Sequence, residues 1–232
     1  EKYVWQTCYG PAISRILASV ISMHGDNNGL IIPYKLAPIQ IVVIPIYNSE
    51  NKSKVLKKAK EISLELSNNN IQSYLDDSDK RPGEKYFHWE MKGVPLRIEI
   101  GEKEIKQKKF SIFIRDTKEK IKIKQENIIE KIKENGKELD KRLLANADRF
   151  LNESIKECKD KEEIKKALKN KKITMFNFCS ANNEGAKCAE NIEKELQARV
   201  MGTNFLEKEQ SKNKCVICGK PATEIVYAGK SY

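Results

Sequence analysis

The chain has 232 residues, room for more than one compact domain, and carries a net charge of +11 with 33% of its residues charged. Its longest apolar run, Ile39 to Ile46, is far too short to span a bilayer, and no signal peptide is visible. The charge points to a polyanionic partner, most simply nucleic acid; a general lysine bias in composition is the plainer alternative.

In chain order, a strand ends at a tight turn punctuated by Gly10 and Pro11. Ile13, Ile16, Leu17, Val20 and Ile21 then recur at helical spacing, which puts Arg15 in the first turn of a helix with an apolar packed face. A cation is locally unfavourable at the positive end of a helix. The placement suits a strongly anionic ligand, because helix amino termini and arginine forks both match phosphate oxygens; a surface arginine that happens to open a helix fits equally well. From Pro38 the pattern becomes alternating strand and helix. Strands are expected at Ile39–Ile46, Ile71–Leu75, Val94–Ile100, Phe110–Arg115 and Ile121–Ile123, and a helix at Asn51–Ser67 with Val55, Ala59, Ile62 and Leu66 on one side. That alternation predicts an α/β domain with a largely parallel or mixed sheet.

Between the second and third strands lies RPGEKYFHWEMKGVPLRIEIG, which interleaves Arg81, Lys85, Lys92 and Arg97 with Tyr86, Phe87 and Trp89. Aromatic faces can stack on splayed bases while cations meet phosphates. Equally, the aromatics can be core and the charges a solvated rim. Gln125 to Cys158 reads as one long helix, its stripe (Ile128, Ile132, Leu139, Leu143, Ala147, Phe150, Ile155) running past Gly136. A short helix at Asp160–Asn170 and a strand at Ile173–Phe178 lead into Cys179. Cys215-Val216-Ile217-Cys218-Gly219 is a knuckle that lets two thiolates face one cation, and Cys179 and Cys188 supply a second pair. With all four positions filled by protein, such a zinc site would be structural; reduced free thiols are the alternative.

Three stretches carry a resemblance. QTCYGPAISR followed by HGDNNGLIIPYKLAPIQIVVIPI is similar to motif 3 of a class II aminoacyl-tRNA synthetase, specifically the prolyl-tRNA synthetase family, and RPGEKYFHWEMKGVPLRIEIG resembles that family's anticodon-binding domain. The four-cysteine tail resembles the zinc domain of its archaeal and eukaryotic-type members. The resemblance implies the end of a class II catalytic domain (1–36), an α/β anticodon-binding domain with a mixed sheet (37–124), and a long helix plus a small α+β zinc domain (125–232).

Several residue roles follow from the resemblance. Arg15, with Ser14, would bind ATP and its Mg2+-associated phosphates; Cys8, Gly10, Ala12 and Ile13 would floor the proline pocket. Arg81, Glu84 and Lys85 would read the anticodon of tRNA(Pro), since an arginine can meet guanine in bidentate fashion and a carboxylate can accept from a base amino group. Cys179, Cys188, Cys215 and Cys218 would hold Zn2+, and the carboxylate of Tyr232 would approach the active site. The implied reaction activates proline with ATP and passes it to tRNA(Pro), in the cytoplasm and in a homodimer, with no membrane involved. Motifs 1 and 2 of the family are not found, and the chain opens inside a recognisable element. We therefore expect a piece of a longer protein that does not catalyse the full reaction by itself; a non-catalytic RNA-binding module derived from a synthetase is the alternative.

Overall fold

The computed structural model describes residues 7, 10, 12–206, 211 and 213–230. The chain divides into two compact units, 1–146 and 147–232.

The first unit begins with α1 (Ile13–His24), whose residues are all unburied. The apolar stripe is present, but Ile13, Ile16 and Leu17 are 73%, 59% and 57% exposed, so the face expected to be packed has no cover among the described residues. The turn after it is tied down by Asp26, which accepts both guanidinium arms of the buried Arg115 at 2.6 and 3.0 Å.

Five strands follow: β1 (Ile41–Pro45), β2 (Ser73–Leu75), β3 (Leu96–Ile100), β4 (Lys109–Ile114) and β5 (Lys120–Lys124). Their order is β2-β1-β3-β4-β5, parallel across the first three strands and antiparallel from β3 onward. This is the mixed sheet that the alternating pattern predicts. Because successive strand side chains point to opposite faces, Ile41 and Val43 join Leu96, Ile98 and Ile112 on one face. They are covered there by Val55, Ala59, Ile62 and Leu66 of α2 (Lys52–Asn68). Val42 and Ile44 face the other way, against Trp89 of α3 (Pro82–Met91). A short α4 (Glu102–Gln107) joins β3 to β4.

The long helix α5 runs from Ile128 to Ser154. Ile128, Ile132, Leu139 and Leu143 belong to the first unit's core, so that unit extends past the expected boundary at 124. The stripe stops there; Phe150 is 57% exposed. Gly136 is no incidental defect in the helix. A Cβ at that position would lie 2.5 Å from the ring of Tyr34, whose backbone N–H donates to Asp140 one turn on.

In the second unit, β6 (Ile155–Glu157), β7 (Ile173–Phe178), β8 (Arg199–Gly202) and β9 (Glu224–Gly229) form a sheet in the order β6-β7-β9-β8. The apolar spacing predicts Ile155 to Glu157 as the end of the long helix; they pair instead with Ile173 to Met175. Helices α6 (Lys161–Lys169), capped by Asp160 accepting from Glu163 N–H, and α7 (Ala186–Leu196) cover a core of Ile164, Phe176, Ile192 and Val226.

Candidate nucleic-acid interface and metal centre

In a sheet of this kind ligands gather beyond the carboxyl ends of the parallel strands. Asp76, the first residue after β2, organises that edge. It is buried, and its carboxylate accepts from the Trp89 indole at 2.7 Å and the Ser78 hydroxyl at 2.6 Å. The Lys85 ammonium stands 3.8 Å from that carboxylate and donates to the Asp76 carbonyl at 2.9 Å. Burial pushes the Asp76 carboxyl up, but the Ser78, Trp89 and Lys85 donors outweigh it and hold the group below its ordinary range.

The helix α3 thus docks through Lys85 and Trp89, one turn apart, and no wider apolar stripe announces it. Arg81 is its N-cap residue and Glu84 lies in its first turn; both are exposed. Lys85, expected to read the anticodon beside them, is 2% exposed and engaged with Asp76, which makes it a positioning residue. Arg97 is likewise internal. Its guanidinium lies between the rings of Tyr86 and Phe113, 3.9 and 4.2 Å from their centroids, and pairs with Glu90 at 2.7 Å and Glu99 at 3.3 Å. Phe87 and Lys92 remain exposed.

Sequence reasoning missed three further residues on this edge. Lys52 pairs with Asp79 at 3.1 Å and sits 5.3 Å from the Tyr47 ring centroid, so the start of α2 meets the loop after β2 two residues before Arg81. The only signal, and that for Asp79 alone, was the run Asp76-Asp77-Ser78-Asp79 shortly before a proline-opened helix.

In the second unit the four predicted cysteines converge: the thiols of Cys179, Cys188, Cys215 and Cys218 all lie within 4.8 Å of one another. β7 delivers Cys179 at its end, and α7 carries Cys188 in its first turn. The knuckle is closed by Cys215 N–H donating to Lys220 O at 2.7 Å and Gly219 N–H to Cys215 O at 2.9 Å, with Gly219 at φ +71°. Thr223 ties it to β7, its hydroxyl donating to Cys179 O at 2.9 Å. A tetrahedral zinc with bonds of about 2.3 Å needs thiolates about 3.8 Å apart, and this cluster accommodates that. Burial raises the Cys188 and Cys179 thiols, whereas the backbone N–H of Lys220 lowers the exposed Cys218. Three of the four thiols are buried or half-buried, and none of the described cysteines is disulfide-bonded.

On α1, Arg15, Ser14 and Ile13 are exposed, as are its N-cap residue Ala12 and Gly10 before it. The described residues do not close a pocket around Arg15. Cys8 and Tyr232 lie outside the described residues.

A family profile described as an anticodon binding domain matches residues 40–135, over the five-stranded sheet, and one described as prolyl-tRNA synthetase, C-terminal, matches 161–232, over the four cysteines. The first unit therefore contains the anticodon-binding module of an aminoacyl-tRNA synthetase. Curated proline–tRNA ligases are similar along the entire chain. That of Thermofilum pendens is 37% identical over 235 residues, covering 100% of this chain and 48% of the relative. That of Nanoarchaeum equitans is 40% identical over 233 residues, covering 100% and 42%, and that of Thermococcus kodakarensis 36% over 236 residues, covering 100% and 48%. The chain belongs to the prolyl-tRNA synthetase family, as its carboxy-terminal half, and spans about half the length of the curated relatives it matches.

Proposed function

We propose that this chain is the anticodon-reading, zinc-stabilised half of an enzyme that activates proline with ATP and transfers it to tRNA(Pro). The observation that carries the reading is the α3 amino terminus. Arg81 and Glu84 are exposed and make no side-chain ion pair among the described residues, while Lys85 and Trp89, directly behind them, are locked to Asp76. A guanidinium so presented can meet a guanine edge, and a carboxylate can accept from a base amino group. Rigid support lowers the ordering cost of each contact.

The domain plan that goes with this reading is a catalytic-domain end over 1–36, an anticodon domain from 37 whose core takes in the long helix as far as Leu143, and a zinc domain in the second unit. Residues Cys8, Gly10, Ala12 and Ile13 would contact proline, Ser14 and Arg15 the ATP phosphates with Mg2+, and Tyr232 the active-site side. The family match and the uncovered apolar face of α1 support this plan, since that face fits a helix made to pack against more protein. Displacement at the α-phosphate of ATP by the proline carboxylate needs chiefly alignment and neutralising cations, which Arg15 and Mg2+ would supply. Zn2+ would be held by Cys179, Cys188, Cys215 and Cys218 and would stabilise the fold. A homodimer and a cytoplasmic location complete the proposal. No described helix is long and apolar enough to cross a membrane.

The test is binding of labelled tRNA(Pro) against the same tRNA with its anticodon guanines replaced. A bidentate arginine–guanine pair discriminates by about 1–3 kcal/mol, so the replaced tRNA and Arg81→Ala should each weaken binding by roughly 5- to 150-fold. Equal affinity for both tRNAs would overturn the reading.

A further inference from the structure

The sheet of the first unit has a second surface that the anticodon reading does not use. On the face that α3 packs against, β4 and β5 carry Lys109, Ser111, Lys120, Lys122 and Lys124, while Ile112, Ile121 and Ile123 turn to the core side. Lys109 stands directly opposite Lys124, and Ser111 opposite Lys122. Directly opposed like charges destabilise an antiparallel pair. At the end of this strip lies a cavity of about 500 Å³ bordered by Lys108, Lys109 and Lys124, with Glu65 and Glu126 also on its wall. Lys120 is neutralised by Glu99 at 2.9 Å. Among the described residues Lys124 has only the exposed Glu126 at 3.3 Å, a pairing of little worth in water. Lys108, Lys109 and Lys122 have no ion pair among the described residues.

Lysines on an edge strand commonly serve to block sheet-to-sheet association. That explains Lys122 and Lys124 on β5. It does not explain Lys109, because β4 is an interior strand, nor Lys108, which sits at φ +51° between α4 and β4. What relieves an opposed lysine pair is an anion between the two side chains. Lys122 and Lys124 are two residues apart on an extended strand, so about 7 Å separates successive positions of the track.

We infer that the Lys109–Lys122–Lys124 strip, with Lys108 at its end, is a seat for the phosphodiester backbone of RNA, separate from the bases that Arg81 addresses. The strip lies at the β5 edge and Arg81 follows β2 at the opposite edge, four strand spacings or about 19 Å away. A folded hairpin covers that distance; one splayed base does not. The inference rests on the tRNA-binding reading above, and its test keeps the two apart.

Fluorescence anisotropy of a labelled RNA hairpin carrying the proline anticodon would be measured with the intact protein across a series of salt concentrations. Each lost phosphate contact lowers the slope of log K against log salt by about 0.7–0.9. Lys109→Gln with Lys124→Gln should therefore lower the slope by about 1.5 and the low-salt affinity roughly tenfold or more, uniformly for hairpins with and without the anticodon guanines. Lys57→Gln with Lys60→Gln removes equal charge from the outer side of α2 and should leave the slope unchanged. If both double variants behave alike while Arg81→Ala still weakens guanine-dependent binding, the strip is only a solvated face and this inference falls alone. If the unaltered protein fails to bind the hairpin, both readings fall. Circular dichroism melting serves as the folding check, and the β4–β5 variant is expected to melt no lower than the parent because a like-charge pair has been removed.

Discussion

Replacing Asp76 tests whether the α3 amino terminus is held in the way described. Asp76→Ala removes the acceptor of the buried Trp89 indole N–H, an unsatisfied group costing about 1–3 kcal/mol. It also strips Lys85, 2% exposed, of the carboxylate 3.8 Å away. Breaking a buried pair from one side costs about 3–5 kcal/mol; the surviving bond from Lys85 to the residue-76 carbonyl places this at the lower end. The total is about 4–6 kcal/mol, a large share of the 5–15 kcal/mol that holds a typical domain together. Asp76→Asn keeps an acceptor for Trp89 and loses only the charge, so about 3 kcal/mol is expected.

The assay is urea unfolding followed by Trp89 fluorescence in a Trp5→Phe background, which leaves Trp89 the only tryptophan of the chain. The decisive variant is the double replacement Asp76→Ala with Lys85→Met. Once the stranded ammonium is gone, it should be about 2–3 kcal/mol more stable than Asp76→Ala alone. An Asp76→Ala loss below about 1 kcal/mol, or no recovery in the double variant, would refute the argument that Lys85 is a charge buried against Asp76. In acid the sign is fixed. The Asp76 carboxyl is held below its ordinary range, so its contribution is complete above the unfolded-state value near 4 and is lost as pH falls through the lowered folded-state value.

Removing metal with a strong chelator should unfold the second unit while the Trp89 signal of the first is retained; it is checked by far-ultraviolet circular dichroism, and an unchanged spectrum would speak against a structural zinc. Gly136→Ala gains about 1 kcal/mol of helix propensity yet drives a methyl into the Tyr34 ring, so a net loss of about 1–2 kcal/mol is expected in chemical denaturation. Asp26→Asn should narrow the stability difference between neutral pH and about pH 3. The Arg115 guanidinium holds the Asp26 carboxyl well below the usual range, so that contribution begins to fade below the unfolded-state value near 4 and is gone once pH has fallen through the lowered folded-state value.

The parts of this molecule legible in the sequence are those whose signal is periodic or covalently local. The buried strand at Ile41–Pro45 and the four-residue stripe of α2 follow directly from apolar spacing. The knuckle Cys215-Val216-Ile217-Cys218 names its own chemistry, although the turn that brings Cys179 within reach of it is tertiary. α3 left no such trace because it docks on two residues, one a lysine, and no hydropathy count treats lysine as a core residue. The same arithmetic misassigned Lys85. Its charge marked it for RNA, whereas spacing carried the contrary message: Lys85 and Trp89 lie at i and i+4, on one helical face, nine and thirteen residues after Asp76.

That misreading bears on basic segments more widely. In a chain of net charge +11 a lysine adds little to the case for RNA binding until its partners are known. Within one 17-residue stretch, Arg81 is exposed while Lys85 and Arg97 are spent inside the fold, against Asp76 and between Glu90 and Glu99. Those two cations cannot reach a ligand without uncovering buried carboxylates, at a cost comparable with the affinity gained. The cations left over for RNA are therefore the ones without an internal acid. By that criterion Arg81 on the α3 cap and Lys108, Lys109 and Lys122 on the open strip, none of them ion-paired among the described residues, come before Lys85 and Arg97, where substitutions should register as lost stability before they register as lost binding.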